Sequence, residues 1–286
     1  MGLGRRAVLD PEAQRRIVFD AAPLEAPLAI VGATVVELTL AADKPPALVA
    51  VRLSDVAPHG AATRVGYGIL NLSHRDSHET PTPLEPGARY KIRLALTEAA
   101  HLFAAGRRLR IAVSSAYWPM VVPPPEAATL TLWTGESRVI LPVLPEQHIR
   151  GLPDFPPVEK ATPLARTIFD PGEERREVHY DVERDKTTVR NSRNDGAALI
   201  DDIGTTISYR KVKEFSIARN DPATAEALVA TVMHYRRGAW DARLETRIRM
   251  RATGEHFVFD SDVDAFEGEQ RLFSRSFAHK IPRDNL

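Results

Sequence analysis

Residues 240–265 constrain the fold more than any other part of the chain, because their polarity alternates one residue at a time. In "WDARLETRIRMRA", Trp240, Ala242, Leu244, Thr246, Ile248 and Met250 hold the even positions, and Asp241, Arg243, Glu245, Arg247, Arg249 and Arg251 lie between them. In "HFVFDSDVDAF", Phe257, Phe259, Val263 and Ala265 share a parity against Asp260, Asp262 and Asp264. Successive side chains of a strand point to opposite faces, so each segment is a strand with one wet face. "ATGE" between them is a turn. With even residues inward on one strand and odd residues inward on the other, a two-residue turn at Thr253-Gly254 sets Arg247 against Asp260 and Arg243 against Asp264. Opposite charges across such a ladder stabilise it by about 0.2–1 kcal/mol each.

The first half carries shorter runs of the same kind: "TVVELTL", "ALVAVRLSDV", "RVGYGILNL", "YKIRLAL", "RLRIAVSSAYW" and "ATLTLW". Gly/Pro-rich punctuation separates them, in "DKPP", "PHG", "LEPGA", "AAGR" and "PPPE". Evenly spaced short strands with such turns predict a sandwich or jelly roll. One brief helix is expected in "LTEAAHLF". The span "PVLPEQHIRGLPDFPPVEKATP" is rich in proline, which removes ladder donors and fixes φ. It predicts an extended linker over 146–165 between an all-β domain at 1–145 and an antiparallel β domain at 166–286.

Composition excludes several functions. Lys plus Arg equals Asp plus Glu, 38 of each, so no net charge draws the chain to nucleic acid or to an anionic membrane. No apolar run approaches the roughly 20 residues that span a bilayer, and "MGLGRRAVLDPEAQRR" lacks the apolar stretch of a secretory signal. The chain has no cysteine. Disulfides, thiolate nucleophiles and cysteine metal sites are therefore absent, and a cytoplasmic location is expected.

The stretch "GILNLSHRDSHET" concentrates reactive side-chain types. Adjacent strand residues Ser73 and His74 point to opposite faces, so they cannot share a proton. His74, Asp76 and His78 would share a face, but alternate positions about 6.5 Å apart do not close on one ion. "HRD" opens a kinase catalytic loop, yet the downstream Asn, a Gly-rich loop and "DFG" are missing. "GESRV" is half of a nucleophile elbow, ending in Val139 where the elbow needs glycine. "SYRK" matches S-x-x-K by letter but lies in a strand-like run. "DSDVDAFEGEQR" has Ala265 and Arg271 where a calcium loop needs Gly and Glu. The Arg-rich face of 243–251 reads as a solvated face. No catalytic residue, cofactor or metal is expected.

The order of Gly32, "RLSDVAPHG", "GILNLSHR", the "LEPG" turn and "GRRLRIAVSSAYWP" resembles the C-terminal domain of X-Pro dipeptidyl-peptidases, a group that includes cocaine esterase-like (CocE/NonD) and α-amino-acid ester hydrolases. The resemblance covers about residues 15–145, and more loosely the β-rich tail ending in "FSRSFAHKIPRD". It implies a galactose-binding-like jelly roll that packs against an α/β-hydrolase domain. Family members carry their Ser–Asp–His triad in that domain, whose G-x-S-x-G elbow this sequence lacks. The resemblance thus implies a non-catalytic C-terminal region, a fragment or a truncated product, that shapes one wall of a substrate cleft. The missing hydrolase domain is the expected partner, and a homo-oligomer stays open. Tyr117, Trp118, His74 and Arg75 are the candidate inter-domain or cleft contacts. For Tyr117 and Trp118 the competing reading is a core aromatic beside a proline turn. Two alternatives remain: a stand-alone carbohydrate- or ligand-binding module, and an enzyme of unfamiliar type.

Overall fold

The structure is a computed structural model that describes residues 16–145 and 156–284. It forms two compact units, one within residues 1–156 and the other within 157–284. Both are built from antiparallel sheets, and the protein is all-β. Residues 146–155 of the expected linker, and the N-terminal segment before Arg16, lie outside the described residues. Among the described residues no helix is long and apolar enough to cross a membrane.

Among the described residues the first unit has ten strands: β1 (Arg16–Asp20), β2 (Leu28–Gly32), β3 (Val35–Ala42), β4 (Leu48–Val56), β5 (Ala62–Asn71), β6 (Tyr90–Ala95), β7 (Ala99–Phe103), β8 (Arg108–Ser114), β9 (Leu130–Leu132) and β10 (Arg138–Ile140). One sheet runs β1-β8-β4-β5 and a second β10-β3-β6, with β9 also on β3, while β2 pairs with β7. Period-two alternation makes the core. Val36, Leu38 and Leu40 of β3, Ile92 and Leu94 of β6, and Val49, Val51 and Leu53 of β4 are buried in one cluster. Gly68 of β5 faces the residues at the end of β6 closely. A Cβ there would lie 2.9 Å from Leu96 Cδ2 and 3.0 Å from the Ala95 carbonyl oxygen, so glycine allows the two sheets to close.

One expectation changes here. "LTEAAHLF" is not a helix: it contains β7, which pairs with β2 and fully buries Phe103. One or two helical turns are marginal in isolation, and strand pairing satisfies the same backbone while burying a large ring. The proline-rich span begins inside the first unit. Val31 N–H donates to the Pro142 carbonyl (2.9 Å) and Leu144 N–H to the Ala29 carbonyl (2.9 Å). Residues 156–165 are exposed and irregular.

The second unit is one sheet of eight long strands: β11 (Arg166–Asp170), β12 (Glu173–Asp181), β13 (Lys186–Ile200), β14 (Thr205–Ala218), β15 (Asp221–Arg237), β16 (Trp240–Ala252), β17 (His256–Glu267) and β18 (Gln270–Pro282). From β13 to β18 chain neighbours are sheet neighbours, and β11 and β12 both pair with β13. The expected β16–β17 register is corrected. Arg249 opposes Asp260, Arg247 opposes Asp262, and Glu245 rather than Arg243 opposes Asp264. The turn is centred one residue later, on Gly254-Glu255, because the Thr253 hydroxyl accepts from the N–H groups of Glu255 (3.3 Å) and His256 (3.0 Å). Moving a turn by one residue shifts the register by two and keeps parity, so the two faces stay as expected.

The even face of β16 is not sealed into a core. Trp240, Ile248 and, on β18, Phe273 remain 44, 47 and 48% exposed, and the buried hydrophobic residues described in this unit are Ala225 and Ala252. The outermost corner is held by backbone contact instead. Gly196, in a bulge of β13, and Gly172, between β11 and β12, have φ of +73° and +75°. A Cβ on Gly196 would lie 1.9 Å from the Asp170 carbonyl oxygen, and one on Gly172 would lie 2.2 Å from the Asn194 carbonyl oxygen.

Gly238 has φ +58° but open space around it, so it isolates the conformational cost. Gly238→Ala is expected to cost about 1–2 kcal/mol, the penalty for a side chain in the left-handed region. Gly196→Ala adds a backbone clash and should cost about 3 kcal/mol or more. Urea unfolding followed by the fluorescence of Trp240, the one tryptophan of this unit, measures both; equal losses would refute the close packing of the corner.

In the first unit, Arg110 holds β1 onto β8 by donating from Nε (2.6 Å) and Nη2 (2.7 Å) to the two oxygens of Asp20. These hydrogen bonds hold the Asp20 carboxyl below its ordinary range. A depressed native pKa contributes stability above the ordinary carboxylate range and loses it as pH falls through the depressed value. Asp20→Asn should therefore cost about 0.5–1 kcal/mol at pH 7, as a partly exposed pair. The difference from wild type should disappear in acid, as followed by urea unfolding across pH.

Candidate functional site

The candidate residues fall in two structural groups. Tyr117 is fully buried on the far side of the first sheet from the main core, over Leu48 and Ala50 of β4. Its hydroxyl accepts from Arg64 Nη1 at 2.7 Å, and its ring meets Tyr67 edge-on at 6.0 Å. The Arg52 guanidinium lies 5.1 Å from the ring centroid. Arg52 is 3% exposed, and its Nε and Nη2 carry no hydrogen bond. Burial lowers its pKa from the ordinary arginine value. The Tyr117 face therefore compensates a buried charge. Trp118 is half-buried and joined by a cis peptide to Pro119, with Met120 exposed beside it.

His74 and Arg75 end β5 differently from a continuing strand. Asn71 Oδ1 accepts from the backbone N–H and hydroxyl of Ser73 (3.1 and 2.8 Å) and caps a single 3₁₀ turn, Leu72–His74. Ser73 is buried, and its hydroxyl is part of this cap. Arg75 Nη1 donates to the carbonyls of Leu72 (3.1 Å) and Thr82 (2.8 Å), and its guanidinium lies 4.3 Å from the Tyr90 ring centroid. The side chain is only 11% exposed and fastens the loop 72–82 to β6. The His74 ring lies 5.4 Å from that of His78, tilted by 38°. Tyr117 makes no hydrogen bond or ring contact with His74 or Arg75.

The other motifs resolve into structure. Ser137 of "GESRV" donates to the Trp133 carbonyl (2.8 Å) and accepts from Thr39 N–H (3.1 Å), so it ties the β9–β10 connection to β3. Ser208 and Lys211 of "SYRK" lie on β14, at positions of opposite parity. The aspartates of β17 meet Arg251, Ser276 and Arg271. Among the described residues no three His, Asp or Glu side chains cluster as a metal site. Sequence reasoning missed the polar partners of a buried aspartate in the "RLSDVAPHG" run. Asp55, 3% exposed, lies 2.9 Å from His101 Nε2 and 3.2 Å from Arg107 Nη1. The inward parity of an aspartate in an apolar strand was the available signal.

Buried tyrosine and arginine, a bonded serine and a stapled loop are the parts of a structural module. The family model for the X-Pro dipeptidyl-peptidase C-terminal non-catalytic domain matches residues 1–172, more than half of the chain. The chain belongs to that family. A protein named "Putative serine esterase" from Mycobacterium bovis is 28% identical over 149 residues, 45% of this chain and 24% of its own length. Cocaine esterase of a Rhodococcus species is 31% identical over 68 residues, 24% of this chain and 12% of its own length. Among solved structures, an α-amino acid ester hydrolase aligns at 25% identity with a TM-score of 0.44, covering 47% of this chain and 26% of that one. The chain thus spans about a quarter or less of the length of these relatives.

Removing the Tyr117 hydroxyl lets Arg64 turn to water, so Tyr117→Phe should cost about 0.5–1.5 kcal/mol. Tyr117→Ala also removes the ring beneath Arg52 and should cost about 3–5 kcal/mol. Denaturation followed at Trp118 and Trp133 measures both. A neutral Tyr117→Ala would show that the ring is not part of the fold's support.

Proposed function

We propose that the chain acts as the non-catalytic C-terminal region of a serine hydrolase of the X-Pro dipeptidyl-peptidase or acyl esterase type. In this reading the first unit is a galactose-binding-like jelly roll that packs on an α/β-hydrolase domain and forms one wall of its substrate cleft. The family match over residues 1–172 carries the proposal. The bonded states of Ser73 and Ser137 are in keeping with it, since their hydroxyls donate to Asn71 Oδ1 and to the Trp133 carbonyl. The working division is a domain at 1–145, a linker at 146–165 and a second β domain at 166–286, in a cytoplasmic protein.

Of the four candidate contacts, Trp118 suits an interface best. It is half-buried next to exposed Met120, on a turn closed by N–H bonds from Met120 (2.8 Å) and Val121 (3.2 Å) to the Tyr117 carbonyl. Aromatic anchors on rigid supports lose little entropy on docking. Tyr117, His74 and Arg75 then act from behind, by holding the turn and the 72–82 loop in shape. A stand-alone carbohydrate module would call for an open aromatic platform. The Trp133 ring is instead covered by Arg89, whose guanidinium lies 3.9 Å from its centroid.

The isolated chain is expected to show no esterase or X-Pro peptidase activity and no fluorophosphonate labelling. Mixed with the α/β-hydrolase domain of a family member stripped of its own C-terminal region, it should form a one-to-one complex. Trp118→Ala with Met120→Ser should weaken that complex at least tenfold. Labelling of any serine in the isolated chain would overturn the proposal.

A further inference from the structure

The polar face of the second unit holds a pocket that the hydrolase reading does not use. Ala197, Ser208, His234 and Arg243 form one row across β13, β14, β15 and β16, each paired in register with the next. Arg210 is two residues along β14 from Ser208, and Arg236 two along β15 from His234, so all project to one side. Asp170 of β11, paired in register with Ala197, continues the row at its β13 end, beside the corner where Gly172 and Gly196 bring two backbones together. Asp170 is fixed there, because its Oδ1 accepts from Gly172 N–H at 2.9 Å. The result is a pocket of about 290 Å³ with Ser208 in its floor and Arg210, His234, Arg236 and Arg243 around it.

Donors in this pocket outnumber acceptors. Along the rest of the face, guanidinium groups meet carboxylates: Arg249 with Glu226, and Arg251 with Asp260. Within the pocket the pairing is incomplete. Asp241 serves both His234 Nε2 and Arg236 Nε, the latter at 3.3 Å. Arg243 lies 4.3 Å from the Phe266 ring centroid and pairs through Nε with Glu245 at 2.9 Å, which leaves its outer N–H groups toward the pocket. Arg210 is exposed and makes no ion pair among the described residues. Asp170 is the one carboxylate in the lining.

We propose that this pocket binds the oxyanion group, a carboxylate or a phosphate, of a small polar molecule. Planar guanidinium groups present paired N–H donors that match both groups. Arg210 and Arg243 would approach the anion from opposite sides, and the Ser208 hydroxyl would donate from the floor. The pocket lies wholly within the second unit, so its role is independent of whether the first unit serves a hydrolase.

The test is calorimetric titration of the full chain with sodium phosphate and with sodium succinate, against sodium chloride at equal ionic strength. Saturable binding is expected for one or both anions. A phosphate-only response identifies a phosphate ligand, and a succinate-only response a carboxylate. Arg210→Gln with Arg243→Gln should weaken binding at least tenfold. Ser208→Asp, which places a carboxylate in the floor, should abolish it, while Arg271→Gln outside the pocket leaves it unchanged. A variant-free readout runs in parallel: the bound anion should slow phenylglyoxal modification of Arg210 at least threefold but leave Arg184 on the β12–β13 turn unaffected. A response no different from chloride, equal binding by Ser208→Asp, or equal modification of Arg210 with and without anion would overturn the proposal.

Discussion

The first unit depends on β4 being covered on both faces. Val49, Val51 and Leu53 point into the main core, while Leu48, Ala50 and Arg52 point to the layer capped by Tyr117. Each fully buried aliphatic side chain contributes about 1.5–3 kcal/mol from apolar burial, so the two-sided strand is the natural foundation of the unit. Arg52 is the cost of that arrangement. Its charge is removed from water and compensated by an aromatic face rather than a carboxylate. The neighbouring "AYWP" turn therefore has a structural duty first, and any interface it offers is built on a rigid base.

The second unit is organised by a different constraint. Its strands β12 to β18 form a meander, with β11 also on β13, but the described apolar face buries little. Order comes from ladder hydrogen bonds, cross-strand charge pairs and the glycine corner of β11, β12 and β13. The same corner that stiffens the sheet's end also walls the pocket over Ser208. Structure and candidate chemistry are thus coupled through two glycines.

The clustered polar residues of "SHRDSHET" illustrate how a suggestive sequence can be spent on architecture. Ser73 closes a cap, Arg75 ties a loop to β6, and Ser77 accepts from the N–H groups of Glu79 (3.1 Å) and Thr80 (3.0 Å). Polar groups near a buried strand end need partners, and local side chains supply them at short range. That demand accounts for the residue types without a reaction.

Alternation along β16 and β17 revealed two strands and their faces, because side-chain parity is a local property of extended backbone. Turn chemistry likewise exposed β3 to β6 and β8, and linked motifs in order pointed to the family. Register was not legible in that alternation: Thr253 decided it by accepting from two following N–H groups, which moved the turn by one residue. Nor was β7, whose helix-like residues became a strand because β2 offered pairing and the core accepted Phe103. The contacts of buried Asp55 with His101 and Arg107, and the pocket over Ser208, join residues far apart in the chain. Sequence by itself determined which residues could be strands and which faces they would present. Only the tertiary structure decided which strands met, because pairing and burial compare free energies between distant segments that no local pattern records.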